Sequence, residues 1–463
     1  MIISRFSKNV LTNSVMSVVN GIFQLLLIMA VGRLTDEVFF ASFLIAAALV
    51  AISEHGSEFG SSVWGMQRFA SASVPARVLI SCFQVKAFFS LILLCLLLIL
   101  PIPTLSLVQV FLCFLVAVTQ PSADPILWFL RGTERLDKDA LVLVLWKAAS
   151  VGIMALILWS GGTLDMMLTG WFCINVLRQL LVYACLRTLL GTGKPRPPHE
   201  LDKHHFATAE LASDTVSDDK LLSVVRRSIP TGTSSLVMAL NQRILLFVMG
   251  FIASTSDLSQ FGAAHTLVSQ AGFLAMALVL SYLPSLARTQ DAAFASGDDT
   301  AMREILRRKF SRIALLIGAF CLFGIAASAT LATIVYGQQF PLAGPLMSVL
   351  WPGLFLWSIS ISLRFVLALR RSAWIDLSGS AAGLASSVTL LWIGAMLNAD
   401  SQSLVWIAAI AWVAGLFIEC SIKTAALLRS SVLSKPTALL LTCWFVVVCG
   451  CALFMAKHST SFF

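Results

Sequence analysis

Thirteen stretches of this chain stay apolar for about 20 residues, the length that a helix rising about 1.5 Å per residue needs to cross the hydrocarbon of a bilayer. They fall near 11–32, 39–62, 79–100, 105–129, 140–160, 165–188, 229–253, 258–286, 310–335, 343–369, 373–396, 403–428 and 437–456. A run of this length reads as a membrane-spanning helix, so the expected fold is an all-α polytopic membrane protein. The charge content agrees, at 12% of residues against about 25% in soluble domains.

The formal net charge of +9 is mostly a matter of topology. With the N-terminus in the cytoplasm, that side collects Arg5, Lys8, Arg68, Arg77, Lys86, Arg131, Arg135 and Lys138. The groups at 187–227 and 288–312 join them, then Arg370, Arg371, Arg429 and Lys435. The other side keeps little beyond Arg33 and Lys457, which is the positive-inside pattern. Nucleic-acid binding is not needed to explain the charge. The opening "MIISRFSKNV" runs into an apolar segment without a small-residue cleavage site, so it reads as an uncleaved first span. The ten cysteines all lie in or beside apolar runs and read as small buried hydrophobes. The histidines lack ligand spacing, His204 and His205 included, so no metal and no cofactor is expected.

A polar, Pro-containing stretch at 191–227 reads as a flexible cytoplasmic linker. It separates an N-terminal bundle of six spans (1–190) from a second bundle of six (228–430), with one additional C-terminal span and tail (431–463). A further segment, "TAMREILRRKFSR", places Met302, Ile305, Leu306 and Phe310 on one helical face. It is either an interfacial amphipathic helix or an extension of the ninth span.

The two halves repeat. Shifted by 221 residues, 5–40 aligns with 226–261 without a gap, matching Arg5/Arg226, Ser7/Ser228, Thr12/Thr233, Ser14/Ser235, Asn20/Asn241, Leu25/Leu246, Asp36/Asp257 and Phe40/Phe261. Six spans separate the copies, so they share one orientation. Parallel repeats of this kind suggest two bundles about an axis normal to the membrane, with a substrate path between them.

The stretches "NQRILLFVMGFIASTSDLSQFGAAHTLVSQAGFLAMALVLSYLPSLAR" and "VGRLTDEVFFASFLIAAALVAISEHG" resemble bacterial polysaccharide-repeat-unit (O-antigen type) flippases of the multidrug/oligosaccharidyl-lipid/polysaccharide exporter superfamily. The matching positions are Arg33, Asp36 and Phe40, then Asp257, Phe261, Gly262, Ala264 and Pro284. The pair Phe40-Ala41 departs from the usual aromatic-Gly, and a thirteenth span exceeds the common twelve. The resemblance implies a lipid-linked oligosaccharide moved across a bacterial inner membrane. It further implies a polysaccharide polymerase and a chain-length regulator as partners.

Polar residues deep in the spans are the candidates for function, because an intramembrane charge is expensive and faces the bundle interior or a water-filled cavity. Arg243 lies with Asn241 and Gln242 at the middle of the seventh span. Arg178 shares a face of the sixth with Asn175 and Gln179. The first span carries Asn13, Ser17, Asn20 and Gln24 as a stripe. Amides suit sugars and guanidinium groups suit a diphosphate, so Arg243, Arg178, Asn241, Gln242, Asn20, Gln24, Asn175 and Gln179 are the expected substrate-binding residues. Alternatively, the two arginines tie helices together through a carbonyl or carboxylate. Arg364 is expected to snorkel to the cytoplasm, Arg33 to pair or cap locally beside Asp36 and Glu37, and His265 to be a satisfied interior histidine.

Ion coupling has three candidates. Glu54 and Glu58 share a face of the second span and could hold one proton between them, or pair with cations such as Arg68. Asp124 sits between Pro121 and Pro125, which must break the fourth span; a freed backbone carbonyl beside this carboxylate could bind a cation or proton, or Asp124 could equally be a strained helix end facing Arg131. A lipid-linked oligosaccharide flippase is the first functional expectation and a multidrug exporter of the same superfamily the second. A membrane polymerase or glycosyltransferase is disfavoured, because the external connections "PIPT", "SGGTLD" and "NADSQS" are short. No P-loop ending is present.

Overall fold

The structure is a computed structural model. It describes residues 2–62, 65, 75–120, 124–132, 136–192, 221–272, 276, 278, 300–370, 372–397, 401–430 and 432–460. Arg68, Pro121, His204, His205, Pro284 and the body of the expected linker (193–220) lie outside the described residues, as do the side chains of Asn13, Ser17, Met302 and Ile305.

Fourteen helices make up the described chain. The first half holds α1 (Ile2–Leu34), α2 (Glu37–Glu58), α3 (Pro75–Ile99), α4 (Leu107–Val118), α5 (Pro125–Gly132), α6 (Leu136–Trp159) and α7 (Leu164–Thr192). The second holds α8 (Leu221–Ile252), α9 (Thr255–Gln270), α10 (Thr300–Tyr336), α11 (Ala343–Leu369), α12 (Ala373–Met396), α13 (Ser401–Arg429) and α14 (Lys435–Thr460). Ten of these are long and apolar enough to cross a membrane. Their outward faces are hydrophobic, with Ile99 79% and Leu453 67% exposed, as suits a surface that meets acyl chains.

Local chemistry sets the helix ends. Asp36 caps α2 by accepting from the Phe39 N–H at 2.8 Å, and Ser106 with Gln109 forms a capping box on α4. The expected break in the fourth span is present. Helix α4 stops at Val118, and Asp124 then caps α5 by accepting from the Ile126 N–H at 2.9 Å. The amphipathic segment is the start of α10, continuous to Tyr336, so the extension reading holds. On its exposed side Glu304 binds Arg307 at 2.9 Å and Arg308 at 2.6 Å. The hydrogen bond from Arg307, then that from Arg308, holds the Glu304 carboxyl at about 2, below the usual carboxylate range.

The halves meet with the reciprocity that a two-fold axis requires. Helix α2 packs on α8 and its repeat mate α9, while α9 packs on α1. Helix α14 lies beyond the repeat, against α10 and α11. Helix α11 is the buried centre of the second half, with Leu346, Leu350, Leu354, Leu363 and Val366 at or below 2% exposure.

Candidate functional site

Two faces of the molecule frame the site: the first, where α1 begins and α2 ends, and the second, where α1 ends. At the first face the seam between the halves is backbone against backbone. Phe59 (φ 36°) and Gly60 (φ 75°) turn the chain out of α2 through the left-handed region, which only glycine adopts freely. A Cβ on Gly60 would lie 2.7 Å from the Gly232 nitrogen and 2.9 Å from the Ser228 carbonyl oxygen of α8. One turn deeper, the Ser235 hydroxyl and His55 Nδ1 are 3.2 Å apart, and His55 also lies 3.5 Å from the Glu58 carboxylate.

At the second face the seam is polar and aromatic. Arg33 donates to the carbonyls of Ile334 and Val335, the latter at 3.0 Å, at the C-terminal end of α10. Gln339 donates to the Thr35 carbonyl at 2.8 Å, and Phe40 packs edge-on to Tyr336. Arg33 therefore caps a helix of the other half, which corrects the expectation of local pairing. Among the described residues, the halves thus touch at both faces.

Between them lies Arg243. Gly232, Ala239, Arg243, Leu246 and Gly250 share one face of α8 by their helical spacing. Gly232 lies against Phe59, and Gly250 against Pro103 and Ile45, so this is the face turned to the first half. Arg243 is half-buried and, among the described residues, has no hydrogen-bond or ion-pair partner. His265 on α9 is its neighbour in charge. That imidazole is 1% exposed, stacked on Phe261 and edge-on to Trp412, with both ring nitrogens lacking a hydrogen bond. It is interior, as expected, but not satisfied.

The opposite face of α8 binds a buried charge cluster in the second half. Lys423 Nζ is 2.6 Å from both Asp376 Oδ1 and Glu419 Oε1. Arg364 Nε is 3.3 Å from Asp376 Oδ2, so it turns to a carboxylate where snorkelling to water was expected. Helix α8 is held through Ser234, which donates to Asp376 Oδ2 at 2.5 Å, and Asn241, which donates to Glu419 Oε2 at 2.6 Å. Gln242 lines a cleft beside this cluster with Asn241, Trp357 and Ser360; at about 10 Å³ it has room for about one water. Its repeat partners diverge: Asn20 is exposed on α1, whereas Asn241 is 4% exposed and bound.

A second cluster fills the first half. Arg178 NH1 pairs with Asp124 Oδ2 at 3.2 Å, and its NH2 donates to the Thr119 carbonyl at 2.8 Å. Asn175 donates to the Val116 carbonyl at 3.2 Å and accepts from Trp146 Nε1 at 2.7 Å. Gln179 donates to the Thr119 carbonyl at 3.5 Å, and Lys86 to the Val118 carbonyl at 2.6 Å. Two cations and two amides thus converge on the carbonyl end of α4, where the helix dipole favours positive charge. Gln24 accepts from Lys147 Nζ at 3.0 Å, and that ammonium lies 4.7 Å over the Trp146 ring. Glu54 is half-buried and acts electrostatically on Lys147 and Lys86.

The structure therefore brings Asn175, Arg178, Gln179 and Asp124 together, and places Asn241 and Gln242 beside a cluster that sequence reasoning missed. A signal for it was present: "IECSIK" puts Glu419 and Lys423 four residues apart in an apolar span, where opposite charges share a face. Asp376, Ser360, Ser380 and Lys147 carried no such mark.

No family model and no curated protein matches the sequence. Solved structures do. A lipid II flippase MurJ in an inward closed conformation superposes with TM-score 0.61 at 12% identity, over 97% of this chain and 98% of that one. The eukaryotic MATE transporter AtDTX14 gives 0.54 at 14% identity, over 98% of both chains. A MATE in complex with MaL6 gives 0.57 at 15% identity, over 94% of this chain and 96% of that one. At these identities the likeness establishes a shared fold: a multi-pass helical membrane protein with the architecture of these transporters.

Proposed function

We propose that this chain is a flippase that carries undecaprenyl-diphosphate-linked oligosaccharide units from the inner to the outer leaflet of a bacterial cytoplasmic membrane, by alternating opening of the two seams. The first face is then cytoplasmic, as the Lys and Arg distribution favours. One observation carries the reading. Arg243, at the middle of a spanning helix and turned to the interface of the halves, holds a charge that has no hydrogen-bond or ion-pair partner among the described residues. A charge within a spanning helix is costly and is retained where function requires it, and a diphosphate is the complementary group. Gln242 is the nearest amide in sequence for the sugar. Arg178, Asn175 and Gln179, committed to the end of α4, act as scaffold in this reading.

The test is genetic and chemical. The gene is deleted in its host and restored as wild type, Arg243→Ala or Arg243→Lys, each checked for equal membrane expression. Deletion should accumulate undecaprenyl-linked oligosaccharide and strip surface glycan; Arg243→Ala should not restore it, while Arg243→Lys should do so partly. Unchanged glycans on deletion would sink the reading. The second reading, a multidrug exporter, is favoured by the carboxylates Glu54 and Glu58 near the seam, and increased drug sensitivity with normal glycans would point to it.

A further inference from the structure

The Lys423 ammonium is surrounded by oxygen. Asp376 Oδ1 and Glu419 Oε1 lie at 2.6 Å, Ser360 Oγ at 3.0 Å and Ser380 Oγ at 3.2 Å, from three helices. The side chain is 1% exposed. Hard oxygen donors are what a protein offers to a hard cation. Charge points to a monovalent guest. With Lys423 set aside, Asp376 and Glu419 carry two negative charges and Arg364, 3.3 Å from Asp376, one positive. The deficit is one. Among the described residues no three His, Cys, Asp or Glu side chains gather as a metal site. A further oxygen, Asn241 Oδ1, is buried without a hydrogen-bond partner and borders the same cleft.

We propose that Asp376, Glu419, Ser360 and Ser380 form a cage for a monovalent cation, which the chain fills with its own Lys423 ammonium. The cation that holds α11, α12 and α13 together is thus covalently attached and cannot dissociate. The cage is a binding site in waiting, and its natural guest class is ammonium, alkylammonium or potassium.

Purified full-length wild type, Lys423→Ala and the double variant Lys423→Ala/Glu419→Gln are melted in detergent at equal ionic strength. The salts are the chlorides of N-methylglucamine, ammonium, potassium and n-propylammonium, the last replacing the atoms that the alanine lacks. Wild type should be indifferent to the cation. Lys423→Ala should lose several degrees in N-methylglucamine and regain most of them in at least one of the three small cations. The double variant, whose charges already balance, should be insensitive. A Lys423→Ala protein that melts alike in every salt overturns the proposal. So does one that fails to fold in all of them while the double variant folds.

Discussion

At the scale of single residues, the two halves use cations in opposite ways. Arg178 is 4% exposed and committed to Asp124 and the Thr119 carbonyl, so it belongs to the protein's internal electrostatics. Removing one member of a buried pair leaves the other charge unpaired, at a cost of about 3–5 kcal/mol. Arg178→Leu is therefore expected to lower the melting temperature markedly. Adding Asp124→Leu should recover part of the loss, less the cap that Asp124 gives α5. If Arg178→Leu melts with the wild type, the pair does not hold the broken span. Arg243 predicts the reverse: Arg243→Leu removes a charge with no partner among the described residues and should leave melting unchanged or raised while glycan export fails. A strong loss of stability there would place Arg243 in the scaffold instead.

At the scale of elements, the crossing of α2 and α8 is set by Gly60 and Gly232, whose missing side chains let two backbones touch. Gly232→Val forces them apart, and overpacking of this kind costs about 1–3 kcal/mol. Lower melting temperature together with lost export is expected; normal export would mean the contact is incidental to the transport cycle. Much of this level was legible in the sequence. Apolar length marked the helices, Pro125 with Asp124 marked the break between α4 and α5, and the Asn, Asp and Phe matches marked the repeat. What was illegible depends on which face of a helix meets which neighbour. Asn20 and Asn241 align in sequence, yet one is exposed and the other binds Glu419 of α13. Arg33 reads as a local cap until α10, about 300 residues on, is brought beside it.

At the scale of the molecule, the halves touch at two faces, and the proposed alternating access requires these contacts to part in turn. A thiol bridge across either should arrest the cycle. In a chain with its ten native cysteines replaced, Thr35→Cys with Gln339→Cys would span the second seam, and His55→Cys with Ser235→Cys the first. Each bridge is expected to cut delivery of surface glycan by about tenfold or more until reduced, since it removes one of two required states. Export undiminished by a complete bridge would exclude alternation of these seams. The second seam carries a consequence of its own. Its Arg33 closes the end of a helix in the opposite half, so parting the halves there also strips the carbonyls of Ile334 and Val335 of their donor. Arg33→Ala should accordingly speed hydrogen exchange in the last turn of α10 in the closed protein, and unchanged protection would separate cap from seal. The mouth, on opening, would thus acquire a rim of fresh acceptors at the moment cargo reaches it, a welcome for hydroxyl-bearing sugars and an indifferent one for an acyl tail.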